Sequence, residues 1–213
     1  MNSVSKYIDH TNLRQDALES DIAKLCEEAL TFKFASVCIN PIHVPLAVSI
    51  LQNEEIKVST VVSFPLGANS SEMKFAESRF LIHQGAEELD MVINIGALKQ
   101  KEYGIVERDI ARVVDAADGK LVKVIIETCL LSKEEMLKAC NIIMNAGAAY
   151  VKTSTGFSSV GANVKDIELI KKTVGKNIGI KASGGIKTLE EVKLMISAGA
   201  NRIGTSNSVR IVS

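Results

Sequence analysis

The chain has 213 residues, which is enough to bury one sizeable hydrophobic core, and α/β barrels of this length are single domains. Lys+Arg and Asp+Glu both number 25, so the formal net charge is zero. This balance argues against a nucleic-acid or membrane partner held by bulk charge, although it leaves room for a local basic pocket for a small anion.

Hydrophobic residues make up 46% of the chain and tryptophan is absent, a composition typical of α/β proteins with Val, Ile, Leu and Ala layers. The four cysteines (Cys26, Cys38, Cys129 and Cys140) show no CxxC or Cys/His ligand spacing, so we expect reduced thiols. The first residues contain no apolar signal segment, and no run of about 18 apolar residues occurs. We therefore expect a soluble, cytoplasmic protein.

Short β-type runs alternate with segments of helical periodicity along the whole chain. The predicted strands are 7–11, 34–39, 58–64, 88–95, 120–127, a run that begins at 150, 177–183 and 202–206. The predicted helices are 15–30, 42–52, 70 or 71 to 83, 98–117, 132–145, 163 or 164 to 173, 188–198 and a short one within 207–213.

This alternation predicts a parallel sheet, because each crossover returns the chain to the same edge. Eight such units close naturally into a barrel. The prediction is therefore an α/β protein, a single (β/α)8 TIM barrel with a short final helix, whose one domain spans residues 1–213.

A Gly-Ala pair ends three of the predicted helices, at Gly85, Gly147 and Gly199. Glycine at this position supplies the left-handed conformation that stops a helix before the next strand. Five residues after each glycine, where a core strand would favour Val or Ile, the chain has Asp90, Lys152 and Gly204. A repeated way of ending helices explains the Gly-Ala pairs but not these three residues.

Charged side chains interrupt otherwise apolar strands near their carboxyl ends, where barrel enzymes carry catalytic groups. They are Asp90, Lys152 and Lys181. Lys123 and Glu127 are four residues apart, so strand alternation predicts that they share one face of the fifth strand. If that face points inward, they join the group.

Unpaired charges inside a barrel are costly, so these residues must either pair or serve chemistry. One interpretation is an internal salt-bridge network, or a strand-end lysine that extends to water. The other is catalysis: two facing lysines lower each other's pKa, one attacks a carbonyl, and a carboxylate relays protons. The residues alone do not choose between Lys152 and Lys181 as the nucleophile.

Glycine-rich segments follow the last two predicted strands, at Ser183-Gly184-Gly185 and Gly204-Thr205-Ser206. The Gly184-Gly185 pair alone would be interpreted as a turn. Together they occupy the loops that form the usual phosphate site of this fold, where backbone N–H groups and a helix dipole favour an anion. The sequence therefore predicts a phosphate site.

No metal-binding or dinucleotide-binding motif is visible. His10, His43 and His83 fall in different units, and no HxH, HExxH or clustered carboxylate set occurs. No glycine fingerprint follows the first strand. We therefore expect neither a metal ion nor another cofactor.

These motifs, taken together, resemble those of the deoxyribose-phosphate aldolases, a family of metal-free Schiff-base aldolases on a TIM barrel. The resemblance covers the full chain and is carried by 9–11 with Leu13, 61–67, 88–96, 123–128, 152–157, 181–186 and 202–206. The combination of Lys-Thr-Ser-Thr-Gly with Lys-Ala-Ser-Gly-Gly is highly specific to this family.

The resemblance implies a role for each candidate residue. Lys152 would form the Schiff base, Lys181 would tune it and move protons, and Asp90 would be the acid/base carboxylate. The implied substrate and phosphate residues are Thr155, Gly156, Ser183, Gly184, Gly185, Gly204, Thr205 and Ser206. Asp9, Thr11 and Lys123 are candidates for a proton relay.

The implied reaction is the reversible cleavage of 2-deoxy-D-ribose 5-phosphate to D-glyceraldehyde 3-phosphate and acetaldehyde, a step of deoxyribose phosphate and nucleoside catabolism. The implied partner is this small phosphosugar, and a homo-oligomer is compatible with the sequence. Two other functions stay open: a phosphosugar isomerase or other lyase on the same barrel, and a catalytically silent phosphosugar-binding barrel.

Overall fold

The structure, a computed structural model, describes residues 4–213. Eight parallel strands form a closed barrel in chain order, with the last strand paired to the first. The strands are β1 (Ile8–Asn12), β2 (Ser36–Ile39), β3 (Lys57–Val62), β4 (Glu88–Val92), β5 (Leu121–Ile125), β6 (Tyr150–Lys152), β7 (Gly179–Ser183) and β8 (Arg202–Thr205). The predicted (β/α)8 barrel is confirmed.

Nine α-helices surround this barrel within residues 4–213, and none of them is long and apolar enough to cross a membrane. They are α1 (Glu19–Phe32), α2 (Val44–Ile50), α3 (Ser71–His83), α4 (Ile95–Lys99), α5 (Tyr103–Ala116), α6 (Lys133–Asn145), α7 (Val164–Val174), α8 (Leu189–Ala198) and α9 (Ser208–Val212). The last helix is short, as predicted.

Local signals set several of the helix ends. Reciprocal hydrogen bonds between Ser132 and Glu135, and between Thr188 and Glu191, form the capping boxes that open α6 and α8. The glycines of the three Gly-Ala pairs have φ values of 100°, 80° and 121°, in the left-handed region expected of them. These boundaries follow from the sequence.

The prediction of one helix over 98–117 is wrong, because two helices occupy this region. Asn94 accepts a hydrogen bond from the Ala97 N–H at 3.0 Å and starts α4 earlier. Lys101, with a φ of 62°, then interrupts the helical conformation between α4 and α5. The positive φ falls on a lysine rather than on a glycine, so residue type alone does not signal the break.

Several strands end earlier than predicted, because their last residues leave the ladder to build loops at the barrel mouth. Ser63 after β3 and Glu127 after β5 both adopt positive φ values, of 51° each. The prediction that Glu127 lies on the same strand face as Lys123 is therefore wrong: β5 stops at Ile125, and strand alternation does not reach residue 127.

The two faces of the barrel differ in polarity. Outward-facing strand residues such as Met91, Val124 and Ile203 are fully buried in the core between the barrel and the helices. The inward face carries Ser59 and Lys181, also fully buried, where hydrophobic layers usually fill a TM barrel. Charged groups therefore form much of the barrel's interior.

Gly67 lies in the loop after β3, and the structure requires a glycine there. Its φ is +68°, and a Cβ atom would stand 2.1 Å from the carbonyl oxygen of Ile93. We expect Gly67→Ala to lower the free energy of unfolding by about 2 kcal/mol or more. Urea denaturation measures this change.

Gly104 in α5 is the matched control for that substitution. A Cβ there would meet nothing within 4 Å, and alanine favours the helix. We expect Gly104→Ala to leave the free energy of unfolding unchanged or slightly raised. Equal losses in the two variants would contradict the steric argument.

Candidate active site

A cavity of about 490 Å³ opens at the carboxyl end of the barrel. Its floor includes Lys152, the last residue of β6. The eight candidate phosphate residues all line it: Thr155, Gly156, Ser183, Gly184, Gly185, Gly204, Thr205 and Ser206. The fold thus brings the loops after β6, β7 and β8 to one wall, next to the candidate nucleophile.

Beneath the cavity, the Asp90 carboxylate is shared by three lysines. Its Oδ2 atom lies 2.8 Å from Nζ of Lys152 and 2.7 Å from Nζ of Lys181. Its Oδ1 atom lies 2.8 Å from Nζ of Lys123, which also donates to Ser59 Oγ at 3.2 Å. One carboxylate therefore joins strands β4, β5, β6 and β7.

A second tier of charges lies deeper in the barrel. Lys181 pairs with Asp9 at 2.6 Å, and Arg202 Nε donates to the other Asp9 oxygen at 2.7 Å. The same guanidinium donates to both Glu88 oxygens, at 2.8 and 2.7 Å, and Glu88 pairs with Lys123 at 2.7 Å. Ion pairs thus connect every charged side chain of this group, which we call the charge cluster: Asp9, Glu88, Asp90, Lys123, Lys152, Lys181 and Arg202.

The cluster distinguishes the two candidate lysines. Burial lowers the pKa of Lys152, and Asp90 only partly offsets this effect. Burial also acts on Lys181, but Asp9 and Asp90 outweigh it and raise its pKa. The prediction that the two lysines lower each other's pKa is therefore wrong for Lys181, because two carboxylates hold its proton.

The carboxylates stay ionised for the converse reason. Burial opposes the ionisation of Asp90, but Lys123, Lys152 and Lys181 outweigh it and hold its pKa well below the usual range. The pKa of Asp9 is lowered in the same way. Asp90 is therefore ionised at neutral pH and accepts hydrogen bonds from both candidate lysines.

The other relay candidates occupy different places. Lys123 lies fully inside the barrel, and Asp90 and Glu88 outweigh its burial and raise its pKa. Thr11 lines the cavity, and its hydroxyl donates to the Asp9 carbonyl oxygen at 2.8 Å. Thr11 thus forms part of the cavity wall and makes no hydrogen bond to a charged side chain of the charge cluster.

The hydroxyls around the cavity are largely engaged within the protein. Thr155 Oγ1 donates to Glu127, Ser183 Oγ to the Ser154 carbonyl oxygen, and Thr205 Oγ1 to the Ile186 carbonyl oxygen. These hydrogen bonds fix the loops. Glu127, placed by its turn rather than by β5, supports the loop that follows the candidate nucleophile.

The backbone N–H groups of Gly184, Gly185 and Ser206 have no acceptor among residues 4–213 and stand at the cavity wall. Gly184 and Gly185 have φ values of 85° and 78°, which glycine adopts readily. Successive N–H groups presented in this way suit an anion.

Small residues leave space for the charged side chains. A Cβ at Gly204 would stand 3.1 Å from Cε of Lys181 and 3.0 Å from Cβ of Ser183. Any larger residue at position 204 would therefore crowd the Lys181 and Ser183 side chains. This contact explains why the third Gly-Ala repeat is followed by a glycine at the position held by Asp90 and Lys152 in the other two.

The sequence analysis missed Glu88 and Arg202, although a signal was available. Glu88 precedes Asp90 by two residues, and Arg202 precedes Gly204 by two, so strand alternation places each pair on one face. It also missed Cys38, whose Sγ lies 3.9 Å from Asp90 Oδ2. No disulfide joins the cysteines, and no group of three or more metal-binding side chains is close enough to hold an ion, within residues 4–213.

A TIM barrel whose charged interior opens into a cavity at the carboxyl ends of its strands defines an enzyme of the barrel class. The comparisons with known proteins narrow this class. A sequence model described as "DeoC/LacD family aldolase" matches residues 3–206. The chain belongs to the DeoC/LacD aldolase family.

Relatives share most of the chain. A deoxyribose-phosphate aldolase of Geobacillus sp. (strain WCH70) is 56% identical over 212 residues, 99% of this chain and 95% of the relative. The crystal structure of a putative deoxyribose-phosphate aldolase from Coccidioides immitis superposes with a TM-score of 0.96 at 41% identity, covering 99% of this chain and 84% of that one. The deoxyribose phosphate aldolase of Aeropyrum pernix, described as a tetramer, gives 0.92 at 30% identity, with coverages of 98% and 89%.

The ion pairs of the charge cluster should make the free energy of unfolding depend on pH. We expect Asp9→Asn to destabilise the protein by about 3 kcal/mol or more at pH 7, because it leaves Lys181 and Arg202 short of a carboxylate. The lowered pKa of Asp9 stabilises the fold above the pKa of the unfolded chain, and this contribution is lost as pH falls toward the folded-state pKa.

The difference between wild type and Asp9→Asn should therefore shrink below about pH 4, by up to about 1.4 kcal/mol per pH unit. Urea unfolding from pH 7 to the onset of acid unfolding measures it. A difference that stays constant over this range would contradict the assigned charge state of Asp9.

Proposed function

We propose that this chain is a single-domain deoxyribose-phosphate aldolase that cleaves 2-deoxy-D-ribose 5-phosphate reversibly to D-glyceraldehyde 3-phosphate and acetaldehyde through an imine on Lys152. The observation that carries the proposal is the position of Lys152. Of the seven residues of the charge cluster, Lys152 is the one that lines the cavity, and it has a lowered pKa. The names of the relatives support the same substrate.

The nucleophile must be a neutral amine, and Lys152 is the lysine of the cluster that gives up its proton most readily. Its Nζ would attack C1 of the open-chain aldehyde to give a carbinolamine. Loss of the C1 oxygen as water then leaves a positively charged iminium. The proton for this step comes from the Asp90/Lys181 pair, so the iminium gains the positive charge that the pair gives up.

Bond cleavage uses the iminium as the electron sink. The C3 hydroxyl loses its proton through water to the Asp90/Lys181 pair, the C2–C3 bond breaks, and its electrons form the enamine on Lys152. This proton replaces the one used to remove water from the carbinolamine. D-Glyceraldehyde 3-phosphate leaves, the enamine is protonated at carbon, and hydrolysis releases acetaldehyde.

The phosphate would lie against the loops that follow β7 and β8. The N–H groups of Gly184, Gly185 and Ser206 are among the donors without a protein acceptor among residues 4–213. They are held in place by the engaged hydroxyls of Ser183 and Thr205. Positioning of a remote phosphate in this way aligns C1 with the amine and favours the reaction over that of an unphosphorylated sugar.

The first test of this function traps the imine. Borohydride reduces an imine to a stable secondary amine, so treatment with acetaldehyde and borohydride should add one acetaldehyde-derived group to the chain. We expect peptide mapping by mass spectrometry to find this group on Lys152. Lys152→Arg should abolish both labelling and turnover, because a guanidinium keeps its proton.

Lys123→Met provides the comparison for Lys152→Arg, because it removes a lysine of the same cluster that does not line the cavity. It should alter the rate but leave the label on Lys152. A label on Lys181, or turnover by Lys152→Arg at a rate close to that of wild type, would overturn the mechanism. An absence of any label would favour an isomerase or a silent binding barrel.

The second test concerns the phosphate loops. Ser206 is exposed at the cavity wall, and its side chain makes no hydrogen bond within residues 4–213. We expect Ser206→Asp to raise the KM for 2-deoxyribose 5-phosphate by about tenfold or more, because a carboxylate would face the phosphate. The KM for 2-deoxyribose should change much less.

Ser206→Asn is the matched control, since it has the size of the aspartate variant without its charge. It should leave both KM values close to those of wild type. Equal losses on the two substrates in Ser206→Asp would place the phosphate elsewhere in the cavity.

A further inference from the structure

The charge cluster contains one more positive than negative group. Four cations (Lys123, Lys152, Lys181 and Arg202) meet three carboxylates (Asp9, Glu88 and Asp90), and all seven are buried. Full ionisation therefore leaves one uncompensated positive charge inside the barrel. Loss of one proton from one lysine restores neutrality, which burial favours.

The number of carboxylate partners decides which lysine loses this proton. Lys123 contacts Glu88 and Asp90, at 2.7 and 2.8 Å. Lys181 contacts Asp9 and Asp90, at 2.6 and 2.7 Å. Lys152 has Asp90 alone, and shares it with the other two lysines. It is the least compensated of the three.

Arg202 creates this imbalance. It stands at the start of β8, at the end of the barrel opposite the cavity, and does not line the cavity. Its guanidinium takes one oxygen of Asp9 and both oxygens of Glu88. Since an arginine keeps its proton in proteins, it draws permanently on carboxylate charge that would otherwise be available to the lysines.

We propose that Arg202 and Glu88 are positioning residues for the reaction: the fixed charge of Arg202 gives the cluster its positive excess, and the carboxylate of Glu88, paired with both Arg202 and Lys123, limits that excess to one proton, which Lys152 loses. Neither residue touches the cavity. They act on the nucleophile through the chain of ion pairs that ends at Asp90.

Other titratable groups face Lys152 and Arg202, the two ends of this series of ion pairs. Lys152 faces Asp90 on β4, Lys181 on β7 and Cys38 on β2, with Lys123 across Asp90. Arg202 faces Asp9, Glu88 and the half-buried Tyr150 on β6. A change in the charge of any carboxylate or arginine here should move the titration of Lys152.

The test compares the pH dependence of acetaldehyde trapping by borohydride in variants that change the charge count. Arg202→Met leaves three lysines for three carboxylates, so Lys152 keeps its proton, and the trapping profile should move by about one pH unit or more to higher pH. Glu88→Gln adds to the positive excess, so the profile should move to lower pH. The double variant restores an excess of one, and its profile should return toward that of wild type.

Two variants separate charge from packing. Arg202→Lys keeps the charge with fewer donors, so its profile should stay close to that of wild type. Glu87→Gln makes the same chemical change one residue before Glu88, at a side chain that pairs outward with Lys57, and should leave the profile unchanged. Circular dichroism at each pH shows which variants are folded. If Arg202→Met does not fold, the shift of Glu88→Gln to lower pH, with no shift in Glu87→Gln or Arg202→Lys, carries the test.

This inference rests on the proposed function for its readout, and the two fail differently. If wild type shows no label on Lys152 at any pH, the proposed function is wrong. If wild type is labelled on Lys152 but the profiles of the folded charge variants coincide with it, the roles of Arg202 and Glu88 are wrong. Parallel shifts in Arg202→Met and Arg202→Lys would show that shape rather than charge matters, which would also overturn the inference.

Discussion

One carboxylate shared by three lysines is the interaction on which the rest of this structure depends. Asp90 joins strands β4, β5, β6 and β7 across the barrel interior, and it is fully buried. A charge in this position is stable only when its partners are also charged and closely placed. The ion pairs that extend from Asp90 to Asp9, Glu88 and Arg202 satisfy this requirement, and they use the interior of the barrel that hydrophobic layers fill in many proteins of this fold.

The same arrangement links stability to chemistry. Most members of the cluster have partners enough to keep their charge, whereas Lys152 at the cavity has a single shared one. The incompletely compensated lysine is thus also the one a substrate can reach. A buried network that served stability alone would not need to end at a cavity, so the position of this least compensated group favours a catalytic role.

The mouth of the barrel follows a different principle. There the hydroxyls of Thr155, Ser183 and Thr205 are engaged with the protein, and backbone N–H groups of the glycine-rich loops are left without a protein acceptor among residues 4–213. Gly184 and Gly185 turn with positive φ values, and Gly161 approaches Gly184 so closely that a Cβ there would stand 2.0 Å from its carbonyl oxygen. Close backbone packing of the loops after β6 and β7 therefore gives the cavity wall its shape.

The sequence by itself determined the architecture and the main candidates. The alternation of strands and helices, the two capping boxes and the helix-ending glycines are local signals, and each produced the expected element. The interrupted strands also singled out Asp90, Lys152 and Lys181. Local signals could not show the break before α5, because the residue that takes the positive φ there is Lys101 and not a glycine.

Only the tertiary structure decided how the candidate lysines differ. The pKa of a buried lysine depends on how many carboxylates reach it, and those of Lys181 come from β1 and β4, 172 and 91 residues earlier in the chain. Closure of the barrel sets these distances and brings Glu88 and Arg202 into the same cluster. The sequence specifies which charged groups face inward, but the counting of their partners requires the closed barrel.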